Sequence, residues 1–276
     1  MITLFKSILN YEGTSLHSEV LLPWLKENQF EIANWLTRFK LFDNSAKIDV
    51  EDLWELYALS RINDVLLLNF QSQPNPNLKI SHIEYLDFFN QLGFTTIEEM
   101  DFHPFYHEIV GVTPIGIKPH IESSKWSGLM LGNMLFSRAG VCISSNNQYI
   151  EKNISENSTL YWAYTRSSRS CYDLSHGWGS NSQWRTKFRR DYKSEHGLLY
   201  NVDATEDITY ANLEAEENQL TREDFIELIR HRCMVKCSQD SSDLFPFNFK
   251  FTENFSRPLT NHPNIFTRLR NKWLIK

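Results

Sequence analysis

Phe105-Tyr106-His107-Glu108-Ile109-Val110-Gly111-Val112 is the stretch on which the fold turns. β-branched and aromatic residues alternate with polar ones here, the period of a strand, which ends near Pro114. Upstream the period is helical. Residues 21–42 place Leu22, Leu25, Phe30, Ala33, Trp35, Leu36 and Phe39 near a 3.6-residue repeat. Asp49 then stands as an N-cap, with Glu51 and Asp52 in the first turn complementing the helix dipole. Leu53, Leu56, Tyr57, Leu59, Ile62 and Leu66 continue a broad apolar face, so this second helix is expected to be well buried. Pro74 and Pro76 among polar residues predict an extended connector. Ser81 and Glu84 form a capping box, Leu86, Phe89 and Leu92 give an apolar face, and Gly93 is placed to end that helix.

Downstream the reading is mixed. Residues 129–136 form a small-and-apolar segment compatible with a helix, whereas 140–144, 159–165 and 198–202 are rich in strand formers. Thr221-Arg222-Glu223-Asp224 opens a late helix, with Ile226, Ile229, Cys233 and Cys237 expected along one side. Phe245, Phe247, Phe249, Phe251 and Phe255 alternate as an edge strand or wrapping arm would. Helices first and mixed elements later predict an α+β fold: a helical N-terminal part packed on a mixed or mostly antiparallel sheet, with a late helix. The expected division is a helical region over 1–72 and an α+β domain over 78–276, or one continuous domain.

Composition narrows the function classes. The 276 residues are 41% hydrophobic and 22% charged, a globular balance long enough for a real core. A net charge of −6 argues against a general nucleic-acid binder. The longest strongly apolar run falls far short of the ~20 residues a membrane helix needs, and the N-terminus lacks a secretory pattern. Cys142, Cys171, Cys233 and Cys237 read as free thiols rather than a disulfide framework, so the expected setting is cytoplasmic.

The candidate site is the segment Leu174-Ser175-His176-Gly177-Trp178-Gly179-Ser180-Asn181-Ser182-Gln183-Trp184-Arg185 and the basic residues after it. Glycine admits close backbone approach, and amides and hydroxyls orient a ligand at short range. Trp178 and Trp184 would wall a pocket. Across 161–192 six cations (Arg166, Arg169, Arg185, Lys187, Arg189, Arg190) face two carboxylates (Asp173, Asp191), a local reversal of sign. Arginine forks bind phosphate and carboxylate, so an anionic small molecule is the expected ligand, helped by helix N-terminal amides if residues 180–192 begin a helix. Ser175, Ser180, Asn181 and Gln183 would fix its orientation, Arg185, Arg189 and Arg190 would hold the anion, and His176 or His107 would move a proton. The bland alternative pairs these arginines with the acidic stretch 206–227, which carries eight carboxylates and only Arg222 as a cation.

His103, His107 and Glu108 invite a metal reading. On a strand, however, the two histidines lie about 13 Å apart, so the pair is not expected to chelate one ion unless a ligand such as His176 arrives from elsewhere. His231-Arg232-Cys233 with Cys237 has no standard zinc spacing and reads as core packing. Cys-x-x-Cys, Gly-x-Ser-x-Gly, the P-loop and Gly-x-Gly-x-x-Gly are all missing, which removes the simplest enzyme assignments and leaves no cofactor to name. Two functions stay open. One is a hydrolase or transferase acting on a phosphate- or carboxylate-bearing small molecule. The other is a non-catalytic, inhibitor-like protein whose acidic segment grips a basic protein partner.

Overall fold

A computed structural model describes residues 1–45, 48–71, 80–157, 187–213, 220–238 and 248–255. Its centre is α3 (Val50–Leu67), which starts after Asp49 and buries twelve of its eighteen residues, nine of them apolar or aromatic and three the polar Arg61, Asn63 and Asp64. Around it lie α1 (Ile2–Leu9), α2 (Leu22–Leu36, entered through one π-helical turn) and α4 (His82–Gln91). The Ser81 hydroxyl accepts from the Glu84 N–H while the Glu84 carboxylate accepts from the Ser81 N–H, which closes the expected capping box. Gly93, at φ +91°, ends that helix in a conformation natural to glycine.

A seven-stranded sheet follows, in the order β1-β4-β5-β7-β8-β10-β9, from β1 (Thr95–Thr96), β4 (Leu129–Leu131), β5 (Met134–Ser137), β7 (Asp191–Lys193), β8 (Gly197–Tyr200), β9 (Glu206–Asp207) and β10 (Phe249–Asn254). Its neighbours are antiparallel except for β10 and β9, which run parallel. A smaller sheet holds β2 (His107–Thr113), β6 (Ala139–Ser144) and β3 (His120–Trp126) in the order β2-β6-β3, with α5 (Lys152–Asn157) against β2. Helix α6 (Arg222–His231) begins at a second capping box, Thr221 with Asp224. The fold is α+β.

Strand alternation decides the layering. Leu129, Leu131, Met134, Phe136 and Tyr192 turn toward the core shared with the N-terminal helices. Met130, Leu135, Leu198 and Tyr200 turn the other way, onto Phe225, Leu228 and Ile229 of α6. The large sheet is thus covered on both faces. That is why Leu129–Leu131 and residues 134–136 read as continuous apolar runs and not as alternation; joined at Gly132-Asn133 they form the β4–β5 hairpin, not a helix. Gly132 turns the hairpin at φ +56°, and the adjacent Asn133 N–H donates to the Lys40 carbonyl, joining helical region and sheet.

Three other expectations are corrected. Helix α6 stops at His231 because Arg232 takes the left-handed conformation (φ 61°), so Cys233 and Cys237 lie beyond it and not on its apolar side. Residues 187–192 begin no helix; they lead into β7. The strand carrying Phe249 and Phe251 is not an edge, since β8 and β9 flank it. The connector at Pro74–Pro76 and the 159–165 segment lie outside the described residues.

Candidate functional site

Residues 187–192 place alternate side chains on opposite sides of the sheet. Asp191 on β7 stands opposite Leu135 of β5 and shares its α6-facing side, whereas Tyr192 joins the other core. Asp191 is fully buried, and its carboxylate is the hub of an arginine cluster. Oδ1 accepts from Arg189 Nε at 2.8 Å and from the Asn201 N–H at 2.7 Å. Oδ2 accepts from Arg232 Nη2 at 3.2 Å and lies 3.6 Å from Arg138 Nη2.

Two of these arginines also cap a helix. Arg138 Nη2 donates to the Arg230 carbonyl and Arg189 Nη2 to the Ile229 carbonyl, both in the last turn of α6. Those carbonyls have no onward partner inside the helix, and the dipole there is negative, so cations suit the position. Arg138 Nε is held by the Pro104 carbonyl at 2.7 Å.

Three guanidinium groups meet the Asp191 carboxylate among the described residues, and the negative end of the α6 dipole lies beside two of them. Among the described residues, the buried Arg138 Nη1 and Arg232 Nε have no hydrogen-bond partner. Burial, then the charge of Arg232, pushes Arg138 well below the ordinary arginine range; burial pushes Arg189 down to about 10 against the pull of Asp191. Burial alone would raise Asp191, but its three arginines and the Asn201 N–H hold it below the usual carboxylate range. Arg232, with 19% of its side chain exposed, is the member that reaches solvent.

Arg190, the other described member of the expected anion-holding set, points elsewhere. Its fork closes on both oxygens of Asp203 at 2.8 and 2.6 Å, and Nη1 donates to the Tyr192 hydroxyl. Neither Asp191 nor Asp203 belongs to the acidic stretch 206–227, which was the expected internal partner. Within that stretch Asp224 serves as a cap, and Glu227 accepts from the N–H groups of Val235 and Lys236.

His103 and His107 are engaged in structure. Residues 103–107 form one tight turn, with the His107 N–H on the His103 carbonyl, rather than the extended run expected between them. The His107 ring is buried and its Nδ1 lies 3.1 Å from both the N–H and the carbonyl of His103. Burial pushes it below the ordinary histidine range, against hydrogen bonds to the backbone of His103 and Glu99. His103 Nε2 lies 3.6 Å from Glu253, whose carboxylate also takes a two-point grip from Arg230 and the Tyr200 hydroxyl. Burial pushes the Glu253 carboxyl up, but the His103 hydrogen bond and the Arg230 charge bring it down to about 2. Among the described residues no group of three His, Cys, Asp or Glu side chains could hold a metal ion, and no helix is long and apolar enough to cross a bilayer.

Ser175, His176, Trp178, Ser180, Asn181, Gln183, Trp184 and Arg185 lie outside the described residues, as do Glu214, Glu216 and Glu217. Arg138 and Arg232 escape a reading of the sequence by local charge density, being far from the basic segment. Arg138 did carry a signal: it is a lone charge inside the apolar run Leu135-Phe136-Ser137-Arg138-Ala139-Gly140-Val141, where burial demands a partner. No protein-family model, curated protein or solved structure matches this chain.

Proposed function

We propose that the protein binds the anionic group of a small molecule at the arginine cluster around Asp191. The observation that carries this reading is Arg138. Its side chain is 2% exposed, yet among the described residues Nη1 has no hydrogen-bond partner. A buried unsatisfied donor costs about 1–3 kcal/mol, more when charged, and an anion seated there would remove that cost. Turnover on a phosphate- or carboxylate-bearing molecule, by hydrolysis or group transfer, is the fuller form of the reading, with His176 as proton carrier.

Thermal unfolding in inorganic phosphate and in acetate, each against chloride at matched ionic strength, tests the binding. A specific anion present at a hundredfold its Kd stabilises the native state by about 2.7 kcal/mol. A melting temperature unmoved by either anion removes the proposal. Turnover is then sought with phosphate and carboxylate esters, comparing the parent with His176→Ala.

A further inference from the structure

We propose that the tip of the small sheet docks reversibly on an anionic lipid surface. The tip lies where β2 and β6 end and β3 begins, with Ser144 paired to both Thr113 and His120. Two neighbouring loops build it, residues 114–119 between β2 and β3 and residues 145–149 between β6 and α5. The first turns at Gly116 (φ +100°) and holds Ile115 60% and Ile117 80% exposed. The second adds the exposed Tyr149. Hydrogen bonds fix the two loops together. The Ser145 N–H donates to the Thr113 carbonyl, the Asn146 side-chain amide donates to the Ile117 carbonyl at 3.0 Å, and the Tyr149 N–H donates to the Asn146 carbonyl.

Two isoleucines are thus presented to water by an ordered turn, which lowers the entropy lost when they enter an apolar layer. Charge separates this tip from other exposed apolar residues. Phe30 lies between Glu27 and Glu31, Ile83 beside Glu84, and Met100 between Glu99 and Asp101. Residues 109–121 and 144–150 contain no carboxylate, in a chain that has 34, and the exposed Lys118 directly follows Ile117. The first acid after the loop, Glu122, sits at its base, where its carboxylate accepts from the Thr113 hydroxyl at 2.8 Å. An anionic surface therefore meets aliphatic side chains and a cation at the apex. Isoleucine enters the acyl boundary, lysine stays among the headgroups, and tyrosine suits the level between them. A protein partner fits less well, because residues 114–119 hold neither arginine nor an aromatic side chain, the types that dominate protein hot spots. So few groups give docking and not anchoring, since stable attachment takes a second signal.

Co-sedimentation with vesicles makes the test. The parent is expected to bind vesicles of about one-third phosphatidylserine in phosphatidylcholine roughly fivefold more tightly than phosphatidylcholine alone, the factor for one lysine at an anionic surface. Ile117→Asp should bind the mixed vesicles at least tenfold more weakly than the parent. Lys118→Gln should lose about fivefold on the mixed vesicles and nothing on phosphatidylcholine. Both positions are exposed, so each variant is expected to keep the parent's melting temperature. A parent that does not bind the mixed vesicles overturns the proposal, as does parent-like binding by Ile117→Asp. Equal affinity of the parent for the two vesicles overturns the anionic assignment. Sedimentation equilibrium without lipid covers the competing occupant. A parent that self-associates, with an Ile117→Asp variant that does not, would assign the tip to a second copy of this chain and overturn the lipid surface.

Discussion

Arg189 and Arg190 are neighbours in the chain with opposite fates. Arg190 meets Asp203 one to one, with both oxygens engaged and the Tyr192 hydroxyl on the remaining arm, so its charge and its donors are closed. Arg189 shares the Asp191 carboxylate with Arg138 and Arg232, and among the described residues Arg138 Nη1 and Arg232 Nε in that assembly have no hydrogen-bond partner. Both precede β7, and each lies with the strand residue two positions on, Arg189 with Asp191 and Arg190 with Tyr192, whose side chains face opposite sides of the sheet. The lesson is that arginine density in a sequence does not say how each guanidinium is partnered; the packing of each buried cluster does.

The largest expected effect comes from breaking the open cluster at its hub. Asp191→Asn leaves three cations without their carboxylate, and breaking a buried pair in this way costs about 3–5 kcal/mol. Chemical denaturation should show that loss, with inorganic phosphate restoring part of it by supplying the missing negative charge. Asp203→Asn should cost less, about 1–3 kcal/mol, because Asp203 is 31% exposed and water reaches the released guanidinium. A loss equal to that of Asp191→Asn would erase the distinction between closed and open arginines.

Glu253 and Arg230 form another closed pair, and pH reads it. The Glu253 carboxyl is depressed to about 2, so its contribution to stability is complete above about pH 4.5 and is lost as pH falls toward 2. Glu253→Gln should therefore remove about 2 kcal/mol at pH 7 and far less at pH 2.5, measured by urea unfolding at both values. The smallest effect is expected at the solvent end of the open cluster. Arg232→Gly trades one 3.2 Å bond to Asp191 for relief of left-handed backbone, so its melting temperature should stay within a few degrees of the parent. A large loss there would make Arg232 a structural member like Arg190.

Local signals were legible wherever a few neighbouring residues determine the conformation. Helix α3 starts after Asp49, although that side chain makes no capping hydrogen bond; the Ser81–Glu84 box and the Gly93 stop depend on contacts within one helical turn, and both are present. Thr221 opens α6 for the same reason. The hairpin at 129–136 reads as a helix because strands covered on both faces lose the alternation that distinguishes them from a buried helix; its legible signal was the Gly132-Asn133 pair between two short apolar runs. The end of α6 was likewise hidden, because Arg232 adopts a conformation that its residue type does not advertise.

What the amino-acid order determined by itself is the class of fold, the sites where most helices begin, and a middle segment richer in cations than the chain around it. Which arginines gather was decided only by tertiary structure. Residues 138, 189, 191 and 232 are separated by up to 94 positions and meet because β5, β7 and the end of α6 converge. The physical reason is range: caps and turns act over one or two residues of backbone, whereas a buried charge takes whatever partner the packing of distant elements brings within about 3 Å.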